Sequence, residues 1–235
     1  MLPTDGDLAK RYEQLETERT SFLARAREVA TLTIPTLMPP EGHSGSSVYA
    51  TPYQSIGARG VNNLASKLLM TLLPPNSPFF RLTMDDFDLQ SLAGADARGK
   101  VEEALARIER AAMQEVEATA VRVPVFEALK QLITAGNVLV HMPKDGGVRV
   151  FRLDRYVVQR DAMGNVLKII TKETVSPLML PEDVRELLTK PTEESQLKSV
   201  DLYTCVNRVN KKWEIHQEVE GKIIPSSNGS FPLDQ

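Results

Sequence analysis

Asp85, Asp86 and Asp88 form the one acidic cluster whose spacing suggests a metal site, and carboxylates this close can hold a divalent cation for nuclease or phosphotransfer chemistry. The run lacks the glycine and the distant glutamate of a calcium loop. No histidine or lysine stands near it in sequence. Carboxylates at a solvated helix start, favoured by the positive end of the dipole, are the simpler account. His43, His141 and His216 fall in a polar loop and two different strands, and none has a second His, Cys or carboxylate at metal-ligand spacing. Cys205 is the single cysteine, so no internal disulfide can form, and its alternating surroundings Asp201–Asn207 suit a small strand residue. Arg152, Arg155 and Arg160 could form a basic stripe, with ion pairing inside or between subunits as its role. Trp213 has no neighbouring aromatics that would stack bases. No phosphate-cradling G-x-x-x-x-G-K-[ST] loop and no G-x-S-x-G nucleophile elbow occurs. The expectation is a protein without catalytic residues, metal or cofactor.

Composition points the same way. The 235 residues are 42% apolar and 25% charged with a net charge of −3, which fits a globular chain and argues against binding that depends on neutralising many phosphates. The start, MLPTDGDLAKR, does not read as a signal peptide. The longest apolar run, Leu68–Leu73, is interrupted by Thr71, whereas a bilayer needs about 20 residues. No membrane segment is expected.

The elements that must carry any site change character midway. Leu8, Tyr12, Leu15, Phe22, Ala26 and Val29 recur at helical spacing, predicting a long amphipathic helix from Asp7 to about Thr31, broken only by Arg19. A polar loop follows, then a helix over Pro52–Leu72 stopped by Pro74-Pro75. Phe79–Met84 reads as a short strand. A helix over Asp96–Ala120 carries Val101, Leu105, Ile108, Ala112 and Val116 on one face, and another starts near Pro124 and stops at Gly136. After Gly136 the period drops to two. Hairpins are predicted over Val138–Met142 with Val148–Leu153 and over Tyr156–Arg160 with Val166–Thr174. Pro181–Leu188 reads as a short helix, and Val200–Val209, Lys212–Val219 and Lys222–Pro225 as strands. This is an α+β layout, with residues 1–136 helical and 137–235 an antiparallel β-rich region.

The helix ending Leu68–Leu73 accepts Gly57 and Gly60 within one turn, each costing about 1 kcal/mol relative to alanine. Close approach of another backbone explains such a pair. Ile56, Leu64, Leu68 and Leu72 are assigned to a buried side, and Arg59, Asn62, Asn63 and Lys67 to a polar side able to bond across an interface. The spacing leaves open whether the neighbour is another subunit or another part of the same chain.

Ile34-Pro-Thr-Leu37, Ser55–Leu69, Phe126–Leu132, Ala135–Leu139 and Tyr156–Leu167 closely resemble, in order, the head-to-tail connector (portal) proteins of T7-like short-tailed bacteriophages. The resemblance spreads over most of the chain and is weakest around Gly42–Val48 and Thr189–Lys198. It implies a homo-oligomeric, dodecameric ring at one capsid vertex, in the virion and, during assembly, in the host cytoplasm. The ring would nucleate head assembly with major capsid and scaffolding proteins and dock terminase. It would then meet tail adaptor and internal core proteins, and pass double-stranded DNA without sequence specificity. It performs no bond chemistry. Gly57, Arg59, Gly60, Asn62, Asn63 and Lys67 become the candidate subunit interface. The alternatives are a non-ring interaction module using the Gly57/Gly60 face and, in the enzyme class, a nuclease at Asp85, Asp86 and Asp88. Portal chains of this family are longer, so the chain is expected to be an amino-terminal portion carrying the wing, without clip, stem or crown.

Overall fold

The computed structural model describes residues 7–43, 46–49, 51–75, 77–84, 95–143, 146–188, 199–209 and 212–232. In chain order the elements are α1 (Asp7–Glu18), α2 (Thr20–Leu32), α3 (Ile56–Leu72), α4 (Ala95–Ala118), α5 (Arg122–Ala135), β1 (Leu139–His141), β2 (Arg149–Phe151), β3 (Tyr156–Arg160), β4 (Val166–Val175), α6 (Glu182–Arg185), β5 (Val200–Val209), β6 (Lys212–Val219) and β7 (Lys222–Pro232). Helices come first and antiparallel strands second, so the fold is α+β. The change from helix to strand at 136/137 is one of secondary structure. The compact units are drawn differently: Met1–Glu28 joins Arg152–Gln235, and Val29–Phe151 forms the other.

In the first unit β3 to β7 make a five-stranded antiparallel meander in sequence order. Turn chemistry sets its hairpins. At the β3–β4 turn the Asp161 carboxylate accepts the Met163 and Asn165 N–H groups at 2.9 and 2.8 Å, and Gly164 takes φ +87°. The Asn165 side chain on the same carboxylate is the main reason its pKa lies below the ordinary range. At the β6–β7 turn Glu220 and Gly221 both have positive φ, as a two-residue turn matched to strand twist requires.

One sheet face is closed by α1. Leu8, Tyr12 and Leu15, spaced four and three, bury against Val157, Ile170, Tyr203 and Cys205, and the last four alternate with outward residues along their strands. Tyr12 meets Tyr203 edge-on with ring centroids 5.6 Å apart, and its hydroxyl donates to the Asp154 carbonyl at 2.9 Å. The fully buried Glu218 of β6 accepts the Leu8 N–H at 3.2 Å, placing a carboxylate at the positive end of α1. A smaller cluster joins Leu180 and Val184 to Val219 and Ile224, with Val175, Val200 and Leu202 around it.

The predicted single helix over 7–31 is two helices. The Thr17 and Thr20 hydroxyls donate to the Glu13 and Thr17 carbonyls, in competition with the helical ladder, and the chain turns at Arg19. The turn delays the apolar stripe by one residue. Ala26 is buried as expected, but Leu23 and Ala30 are buried in place of Phe22 and Val29, and Phe22 is 40% exposed.

In the second unit α3 packs on α5, and α5 also meets β2. Val61 and Ala65 of α3 and Ala128, Leu129, Gln131, Thr134 and Ala135 of α5 are buried. The Gln131 amide donates to the Leu37 carbonyl at 3.0 Å. Gly136 ends α5 at φ 71°, its N–H returning to the Leu132 carbonyl. The Arg122 guanidinium donates to the Leu73 and Pro74 carbonyls, each at 3.1 Å, and so caps the negative end of α3 with a cation from another helix. β1 and β2 form the predicted first hairpin.

Four local expectations are corrected. Phe79–Met84 has no strand. The first helix of this unit begins at Ile56, since the residues from Pro52 to Gln54 are not helical. The short helix predicted over Pro181–Leu188 contracts to Glu182–Arg185, and β7 runs to Pro232. Lys144 and Asp145 of the first hairpin turn and Thr189–Lys198 lie outside the described residues.

Candidate functional site

α3 divides its residues by size. Gly57, Val61 and Ala65 recur every four residues on the inward side, and Val61 and Ala65 are buried. A Cβ on Gly57 would fall against the Leu32 carbonyl oxygen, well inside van der Waals contact, and 3.2 Å from the Thr33 Cα. The close backbone approach that required a glycine here is to the end of α2, within the chain. The large apolar residues expected on the buried side are mostly outside it: Ile56, Leu64 and Leu72 are 75, 47 and 54% exposed, and Leu68 is half-buried. Small residues win the inward side because only they allow the backbones together, and the longer chains are displaced outward.

The outward side carries Arg59, Gly60, Asn62, Asn63 and Lys67, all exposed. A Cβ on Gly60 would meet no described atom within 4 Å. Asn62, Asn63, Ser66, Lys67, Met70 and Thr71 line a shallow depression along this side. The Arg59 and Lys67 side chains make no ion pair among the described residues and stand eight residues, about 12 Å, apart along the axis. A signal not used in predicting the face is the absence of acid: from Gly42 to Met84 there is no Asp or Glu, while Arg59, Lys67 and Arg81 are present. The face is therefore cationic and partly apolar, on a chain of net charge −3.

The other singled-out residues are occupied locally. Arg152 binds the Asp154 carboxylate with two nitrogens at 3.1 and 3.0 Å. Arg155 donates to the Thr174 hydroxyl, and Arg160 to the Gly164 carbonyl. These arginines brace turns and neighbouring strands of the first unit. His43 pairs with the Tyr49 hydroxyl at 2.9 Å, and His141 is exposed on β1. His216 is buried on β6, which depresses its pKa below the ordinary 6.5. Burial pushes the Cys205 thiol up to about 11, so it is a core residue with little thiolate character. Trp213 is half-buried on β6. Asp85, Asp86 and Asp88 lie outside the described residues. Among the described residues no group of three or more His, Cys, Asp and Glu could hold a metal ion, and no helix is long and apolar enough to cross a membrane.

Comparison with known proteins gives the class. Residues 5–227 match the family described as bacteriophage head to tail connecting protein. The chain is 40% identical over 232 residues to the portal protein of Escherichia phage T7, covering 95% of this chain and 43% of that protein. It is 41% identical to the portal protein of Enterobacteria phage T3, covering 99% of this chain and 45% of that protein. A match at 29% identity to the portal protein of Enterobacteria phage SP6 covers 91% of this chain and 42% of that protein. The chain belongs to the bacteriophage head-to-tail connecting protein family. It spans less than half the length of these curated relatives.

Proposed function

We propose that the chain is part of a portal subunit: copies of it close into a dodecameric ring at one vertex of a phage capsid, and double-stranded DNA passes through that ring during packaging and ejection. On this reading the ring meets major capsid and scaffolding proteins as the head forms, and terminase as it fills. It then meets tail adaptor and internal core proteins, and resides in the virion after assembly in the host cytoplasm. It holds and guides without making or breaking bonds.

The observation that carries this is the match along nearly the whole chain, at about 40% identity, to proteins named as portals. The net charge of −3 agrees with a conduit, because many strong phosphate contacts would retard a moving duplex. Within the ring, Arg59, Gly60, Asn62, Asn63 and Lys67 form one side of the contact between neighbours. Gly57 serves that contact indirectly, by letting α3 lie close to the end of α2.

The test is the native mass of the 235-residue chain by light scattering or native mass spectrometry. A closed species near twelve copies is expected. A chain that stays monomeric would move ring closure away from these residues and withdraw the α3 face as a subunit contact.

A further inference from the structure

The helix with the least internal packing in the described structure is α4. It has 24 residues, yet none of its described side chains is buried, and it makes only sparse contacts with other elements. The apolar stripe expected to bury it fails to do so: Val101, Leu105, Ala112 and Val116 are only half-buried and Ile108 is 55% exposed. Ion pairs at i,i+4 spacing, Arg98 with Glu102 and Arg107 with Glu103, support the helix along its exposed sides. Most helical stability in proteins comes from packing. A long helix left this bare has a surface that suits another molecule.

Its outward line is Ala104, Ile108, Ala111 and Glu115, all exposed. Glu115 makes no ion pair among the described residues. On α3, Ile56, Gly60, Asn63 and Lys67 are also all exposed and follow the same spacing of four, three and four. We propose that α3 of one copy packs along α4 of a second copy, in parallel, with these two lines in register. The proposal rests on the reading that copies of this chain assemble, and it names the surface that the α3 face meets.

The register pairs large with small and plus with minus. Ile56 lies on Ala104, Gly60 receives Ile108, Asn63 faces Ala111, and Lys67 meets Glu115. Gly60 to Lys67 and Ile108 to Glu115 each span seven residues, about 10.5 Å, so the apolar contact and the charge contact form together. A glycine opposite an isoleucine lets two axes come to the short end of the usual 8–10 Å separation. Arg107, on the flank of α4 opposite Arg59, is already neutralised by Glu103. Both helices lie in one compact unit, so each copy offers one α3 face and one α4 face, as a head-to-tail ring requires. A nucleic acid is the poorer occupant. Two cations about 12 Å apart give few phosphate contacts, and a phosphate backbone does not reward burial of Ile56, Leu64 and Met70.

The test compares association of the wild-type chain with Lys67→Glu, Glu115→Lys, the double exchange and Gly60→Leu, with thermal melting to report folding. Each single reversal should weaken association by about tenfold or more, and the double exchange should recover most of it. Gly60→Leu should melt no lower than wild type, since its side chain enters open space and the helix loses a glycine, yet it should fail to associate. Wild-type association by all four variants would overturn this docking while leaving the ring reading intact. A wild-type chain that never associates would also overturn it, and rings of the whole protein in native particles would then keep the portal reading alive without this contact.

Discussion

A leucine at position 57 has nowhere to go without moving the main chain at Leu32, because the atom its Cβ would strike is a backbone oxygen. Gly57→Leu is therefore expected to destabilise the fold by about 1–3 kcal/mol, measured as a lower urea midpoint. An unchanged midpoint would mean that α2 and α3 are not held at this distance. His216 gives a pH signature. Burial, followed by the nearby Lys168 charge, places its folded pKa below 6.5, so the folded chain resists a proton that the unfolded chain accepts. This contribution to stability is present above about pH 6.5 and is lost as pH falls through the depressed folded value. The wild type should lose stability on acidification over that window, and His216→Gln should lose less. Parallel pH profiles for the two proteins would remove the claim.

At the scale of elements, α1 is held to the sheet by a short list of contacts. Leu15 is 7% exposed in a cluster with Val157, Ile170, Tyr203 and Cys205. Leu15→Ala should cost about 2–5 kcal/mol by lost burial and residual cavity. Hydrogen exchange should then rise along β3 to β6 and stay unchanged in α5, whose buried residues belong to the other compact unit. Equal loss of protection in both units would show that they unfold as one. The sequence period located α1, α5, both early hairpins and the β5 and β6 strands because apolar residues recur there at helical or strand spacing, although α5 buries Ala128, Leu129, Gln131, Thr134 and Ala135 while Phe126 and Ile133 are only half-buried. It misplaced the stripe of α2 because two threonine hydroxyls interrupt the ladder and shift the phase.

For the whole molecule, the arrangement predicts assembly that is apolar at its centre and electrostatic at its rim. If Lys67 meets Glu115 across copies, raising the salt from about 0.1 M to 1 M shortens the screening length from ~10 Å to ~3 Å and should weaken association. Lys67→Glu paired with Glu115→Lys should keep the same salt dependence. Association indifferent to salt would assign the contact to the apolar residues alone. The weakly acidic total charge is a property of the chain as a whole. It conceals a run from Gly42 to Met84 with cations and no acids.

The sequence alone determined the helix-first, strand-second layout, the β3–β4 turn, the lack of recognisable catalytic motifs and the family, because each is written in local spacing or in an extended run of matched residues. Packing decided the rest. Gly57 and Gly60 look equivalent in sequence, both being unfavourable helix residues. Only the folded chain shows the first pressed against α2 and the second open to solvent. Likewise Ile56, Leu64 and Leu72 read as core by type, yet small residues took the inward side of α3 since backbone approach there is limited by side-chain size. Hydrophobic period records which residues can be buried, and the distance between neighbouring backbones selects which of them are.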